Sequence, residues 1–228
     1  MSDTAPSPPP RGLVLGLCGL TIVVVVALSL VLFRDDLGPI EDAAPATTTD
    51  PLLATDDFER PDAPELATDG RPWSEPAGDW VVQDAHAALV TPAPVPQPSL
   101  AVLDTGAADG VARVTATAVE PGWAFAFRVR GPEDFWAIVA RPETGTWSLA
   151  RVEGGVVTET TGFLAAAPVD GTLIEVRLEG DRIVVSAGGV TNEVTDDTFV
   201  DATGIGPAAL TPDNIASMAW DDLSLARR

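Results

Sequence analysis

The chain has no lysine and no tyrosine, and only one cysteine, one histidine and two methionines among 228 residues. A single cysteine, Cys18, excludes an internal disulfide, and one Cys with one His cannot furnish a Cys/His zinc site. Positive charge is scarce: 13 arginines stand against 34 acidic residues, for a net charge of −21. So acidic a chain repels phosphate backbones, which leaves no nucleic-acid partner. A serine-hydrolase triad would have to use His86, which lies in Asp84-Ala85-His86-Ala87-Ala88 with no nucleophile motif beside it, and reads as a rim histidine. There is no glycine-rich phosphate loop ahead of a helix. Arginine as the only long basic residue, with abundant Ala, Val and Asp, matches the codon usage of a high-GC bacterial genome.

One long uncharged run is present, Leu13 to Phe33, bracketed by Arg11 and Arg34. As a helix it would span roughly 30 Å, the hydrocarbon thickness of a bilayer, so a transmembrane helix is expected over 13–33. The run is longer than the apolar part of a cleaved signal peptide. Leu17 ahead of Cys18 departs from the small residue of bacterial lipoprotein signals, so an uncleaved single-pass anchor is expected. Arg11 and Arg34 nearly balance under the positive-inside rule. The N-terminal amine tips that balance toward a cytoplasmic tail at 1–12 and an extracytoplasmic C-terminal part.

Residues 34–54 are rich in Ala, Thr, Pro and Asp without apolar periodicity, and read as an acidic, extended linker. Residues 55–228 alternate with period two between Gly, Pro and Asp turns. Val111–Val119, Trp123–Val129, Phe135–Ala140, Trp147–Val152 and Val156–Thr161 are predicted strands, the last four as an antiparallel meander. Leu173–Leu178 and Ile183–Ser186 flank a hairpin turn at Glu179-Gly180-Asp181-Arg182, and Val190–Val194 follows. Trp80–Gln83, Leu100–Leu103 and a closing strand near 217–225 complete the set. No long amphipathic helix appears in 55–228, so the expected fold class is all-β, a two-sheet antiparallel sandwich.

The order Asp57-Phe58-x-Arg60, Trp73, Gly78-x-Trp80, Phe125-Ala126-Phe127-Arg128, Phe135-Trp136, Trp147-x-Leu149, Gly180-Asp181 and Trp220-Asp221-Asp222-Leu223-x-Leu225 resembles a known family. It is similar to the concanavalin A-like lectin and glucanase jelly roll, in its laminin-G-like bacterial branch, over about 55–226. The resemblance implies two stacked curved sheets, paired first and last strands, and a concave sheet that serves as the glycan face. Pairing of those strands would bring Asp56-Asp57 toward Asp221-Asp222, and Asp57 with Asp221 could then hold calcium, a cation that takes six to eight oxygens. Alternatively each acid pair caps a strand end, its inward Asp accepting backbone hydrogen bonds.

Strand alternation sets Trp123, Phe125, Phe127 and Val129 on one face, and Arg128 and Arg130 on the other. If Phe135 is core, Trp136 joins the arginines, and a planar aromatic beside guanidinium donors suits a sugar. The other account has Trp136 covering Ile138 against the second sheet. For catalysis, glucanases of this fold carry Glu-x-Asp-x-Glu on a strand. The nearest match here, Glu175-x-Arg177-x-Glu179, has Arg at its centre and reads as a solvated Glu–Arg–Glu ladder. No catalytic residue is assigned, and a sugar hydrolase rests on family analogy alone. The expected function is recognition of a glycan or cell-envelope polymer by Arg128, Arg130 and Trp136, from a membrane anchor. A structural or protein-interaction module of the envelope is the alternative.

Overall fold

The computed structural model describes residues 51–66, 73–210 and 217–227. Leu13–Phe33, and with it the expected membrane span, lies outside them. Among the described residues no helix is long and apolar enough to cross a membrane.

The described residues form strands β1 (Leu52–Asp56), β2 (Trp73–Ala77), β3 (Asp79–Gln83), β4 (His86–Thr91) and β5 (Ser99–Asp104). Strands β6 (Gly110–Ala118), β7 (Trp123–Gly131), β8 (Asp134–Arg141), β9 (Thr146–Glu153) and β10 (Val156–Leu164) follow. The last are β11 (Thr172–Glu179), β12 (Arg182–Ala187), β13 (Val190–Thr195), β14 (Gly204–Ala209) and β15 (Ala219–Ala226). They build two antiparallel sheets. One runs β13-β12-β11-β6-β15-β4-β3 with β1 also on β15, and the other runs β10-β9-β8-β7-β14-β5-β2.

The expected meander is β7 to β10, consecutive neighbours in the seven-stranded sheet. Its last turn needs two left-handed residues, supplied by Gly154 and Gly155 at φ 56° and 75°. Strand β1 begins at Leu52, inside the stretch that composition reads as linker. Strands β2 and β14 escape the alternation rule because they carry Pro76 and Gly204-Ile205-Gly206-Pro207. Gly206 is required by packing: a Cβ there would collide with the Ala101 carbonyl of β5.

Between the sheets the core is aromatic. Trp123 stacks on Trp220 at 5.4 Å and 16°, while Trp80 and Trp147 meet this pair edge-on at 5.2 and 5.8 Å. Buried indoles need partners. Trp220 Nε1 donates to the Ala124 carbonyl at 2.7 Å and Trp123 Nε1 to the Ala219 carbonyl at 3.0 Å, so the two sheets are tied by hydrogen bonds through the core. Truncating one such indole to Ala costs about 3–5 kcal/mol. The opposite face of the seven-stranded sheet is apolar as well, built on Ala124, Ala126, Ala137 and Ala150 with Val139 and Val152.

Candidate functional site

Arg128, Arg130 and Trp136 do come together, but around the chain's own β13–β14 connection. The reason is a bulge. The β7–β8 register shifts between Phe127 and Gly131, and Arg128 takes φ 49°. That left-handed residue breaks the alternation, so Arg128 turns inward and is 0% exposed. Its Nη1 donates to the Asp196 carbonyl at 2.9 Å, and its Nη2 donates to the Gly180 carbonyl. Burial pulls the guanidinium below its ordinary value, while the charges of Asp109, Asp196 and Asp181 work against that shift.

Trp136 lies on the core side with Ile138, 6% exposed, and its Nε1 donates to the Thr198 carbonyl at 3.2 Å. Phe135, whose place in the core was the condition for Trp136 to join the arginines, belongs to the opposite, Ala-lined face, so the account that sets Trp136 beside Ile138 is the one observed. Arg151, which sequence reasoning did not single out, sits over the Trp136 ring at 5.7 Å and bonds Asp196 Oδ2 at 3.3 Å. Arg130 is exposed, bonds Asp201 Oδ1 at 2.6 Å and covers Phe199 at 5.2 Å. Burial pushes the Asp196 carboxyl up, but hydrogen bonds from Thr198 and the charges of Arg151 and Arg128 outweigh it and hold the group below its ordinary value. These side chains form a clamp on Asp196–Asp201: each gives at least one donor to the protein, and the Arg128 Nε, buried without a partner, is enclosed with them. Arg128 and Trp136 are therefore not on an open face.

A different arrangement occurs where the first and last strands meet. Strand β1 pairs with the C-terminal half of β15, Asp56 opposite Leu223, while β4 pairs with its start at Ala219 and Trp220. Two strands thus abut end to end on one edge of β15. At the changeover the β15 register against β6 slips between Asp221 and Ser224, and Asp222 takes φ 51°. Phe58, just past β1, also sits at φ 51°. Non-glycine residues in this region cost of order 1 kcal/mol each and persist where surrounding structure holds them.

The four aspartates at this junction have separate fates. Asp56 is buried and structural: its Oδ1 accepts from the Phe58 N–H at 2.9 Å and Arg60 Nη1 at 2.6 Å, its Oδ2 from Trp73 Nε1 at 2.8 Å. Asp221 faces His86, with Nε2 to Oδ2 at 3.8 Å. Burial raises its carboxyl, helped by the charges of Asp222 and Glu59, beyond what the Asp222 N–H and His86 recover. Asp57 and Asp222 are exposed and line a groove of about 300 Å³ with Arg113, Thr115 and Ser224, flanked by Leu52 and Leu173. Asp57 and Asp221, the expected calcium ligands, are therefore divided between two surroundings. Among the described residues no group of three or more His, Cys, Asp or Glu could hold a metal ion. The residues present do not fit a calcium shell of six to eight oxygens.

Glu175 and Arg177 stand on the outer face of β11. Glu175 is held between Arg113, at 2.8 Å, and Arg177, at 2.7 Å. Burial pushes its carboxyl up, and the two guanidiniums more than reverse that. On the Ala-lined face of the seven-stranded sheet, Arg141 grips Glu159 through Nε at 2.8 Å and Nη2 at 2.6 Å. The groove that holds Asp222 was legible only as a pair of acids on strands expected to meet.

No protein-family model matches the chain, and no curated protein matches it in sequence. Solved structures similar to it are concanavalin A-like sandwiches. The carbohydrate binding module CBM66 from Bacillus subtilis is 14% identical, with 68% of this chain and 94% of that one covered at a TM-score of 0.48. The catalytic domain of an endo-1,3-β-glucanase (laminarinase) from Thermotoga petrophila is 10% identical, over 77% and 97%, at 0.47. The galectin LEC-6 of Caenorhabditis elegans is 13% identical, over 52% and 84%, at 0.37. At these values the likeness carries nothing about ligand or chemistry.

Proposed function

We propose that the sandwich is a binding module for a polyhydroxylated cell-envelope polymer, held outside the cell membrane by Leu13–Phe33. The observation that carries this reading is the groove between β1, β6, β11 and β15. It sets the carboxylates of Asp57 and Asp222 and the hydroxyls of Thr115 and Ser224 beside two exposed leucines. Sugars offer rows of hydroxyls and patches of C–H, and a site for them combines a few fixed polar groups with apolar walls. The test is calorimetry and a glycan array with the full chain in a zwitterionic, sugar-free detergent. Asp222→Asn is expected to weaken the best ligand at least about tenfold, and unchanged binding would remove the groove from the reading. For the anchor, alkaline phosphatase fused after residue 50 is expected to be active, and an inactive fusion reverses the topology.

A further inference from the structure

We infer that the groove prefers a saccharide bearing free amines over the same saccharide in neutral form, and excludes acidic ones. The inference rests on the binding-module reading above and names the ligand's charge class. It follows from which polar groups are already in use. Arg113, the one cation lining the groove among the described residues, is spent on Glu175 through Nε at 3.0 Å and Nη2 at 2.8 Å. Asp57 accepts from the Glu59 N–H at 3.3 Å, and Asp222 from Thr115 Oγ1 at 3.3 Å. Both bonds are long, and among the described residues neither carboxylate is in an ion pair. Asp56 and Asp221 take the structural partners at this junction, the first with Arg60 and Trp73, the second with His86.

Acceptors therefore exceed donors on the groove, and a ligand must bring the donors. Asp222 itself sits in a left-handed conformation that non-glycine residues adopt only at a cost, as does Phe58, the residue after Asp57. Leu52 and Leu173, 58% and 52% exposed, give the groove aliphatic walls. A bare cation has little to gain from those walls, whereas an amino sugar presents an ammonium and a C–H face together. The wider field acts in the same direction. The chain carries −21, of which −17 lies beyond residue 54, so cationic ligands are drawn in and uronates or phosphates are repelled.

The test compares a β-1,4-linked glucosamine oligomer with its fully N-acetylated counterpart of equal length, by calorimetry on the full chain at about pH 5.5. The amine form is expected to bind about tenfold tighter at low salt, with the margin shrinking as salt rises. Asp57→Asn with Asp222→Asn is expected to erase the margin. If that double variant fails to fold, raising the pH until the amine is neutral must erase it in the unaltered chain. Equal binding, or tighter binding of the acetylated form, overturns the inference and leaves the module reading in place. So does binding of an acidic saccharide alone, or of an oligolysine of matched charge as tightly as the amino sugar. Binding of no saccharide at all overturns both.

Discussion

Two clusters on this sandwich contain the residue types that grip ligands, and they differ in what is left over. At the β13–β14 end, Arg128, Arg130, Arg151 and Trp136 meet Asp196–Asp201, and each side chain donates to a protein acceptor, although the buried Arg128 Nε has none. At the β1–β15 junction, Asp57 and Asp222 keep exposed carboxylates with one long hydrogen bond apiece. The first cluster holds the fold, and the second is free to hold something else. Residue type alone does not separate them: an accounting of partners does.

The sharpest way to break that contrast is Arg128→Ala. It strips the Asp196 and Gly180 carbonyls of their donor and opens a void, and should cost about 3 kcal/mol in denaturant unfolding. A loss below about 1 kcal/mol would mean that the clamp is not structural. Trp136→Phe keeps the aromatic bulk but loses the bond to the Thr198 carbonyl, for which about 1 kcal/mol is expected. Glycan binding should be untouched in that variant, and a parallel loss of binding would return Trp136 to the site. At the groove the signs separate. Asp222→Gly relieves a left-handed backbone and is expected to gain a few tenths of a kcal/mol while binding falls. Simultaneous loss of stability and binding would show the groove to be structural too.

The smallest effect expected is in acid. The Asp196 carboxyl is held below its ordinary value, so its contribution is present at neutral pH and is lost as the pH falls through that depressed value. Asp221 runs the other way: its carboxyl is raised, so ionisation costs stability above the ordinary range and protonation restores it. Thermal melts from neutral to about pH 3 should therefore show a shallower acid loss for Asp196→Asn than for the parent. Identical slopes would take Asp196 out of the clamp's electrostatics.

Most of the fold was legible where one face of a strand alternates cleanly, as in Phe125-Ala126-Phe127 or Ile174-Glu175-Val176. Strands β2 and β14 were hidden because proline and glycine, read as turn residues, serve there as bulge and close-packing residues. The grouping of Arg128, Arg130 and Trp136 was legible, but their occupant was not. A bulge at Arg128 turns that side chain inward and sends Val129 to the Ala-lined face, and nothing in Phe127-Arg128-Val129-Arg130 announces it. The junction was readable only in part, because expecting the first and last strands to pair brings the acids near one another without saying which becomes structural. That division depends on Arg60, Trp73 and His86, which reach the site from separate elements.

Strand β1 has a mechanical consequence. It is five residues long and, among the described residues, pairs with one strand, β15, through a ladder that begins with Leu52 opposite Ala226. Any load that enters the domain from the residues preceding Leu52 passes through this short ladder before it reaches the core. Leu52 is also a wall of the groove. The grip on a ligand and the path of tension thus share one side chain, so a pull strong enough to displace β1 would dismantle the groove while the tryptophan core still stood.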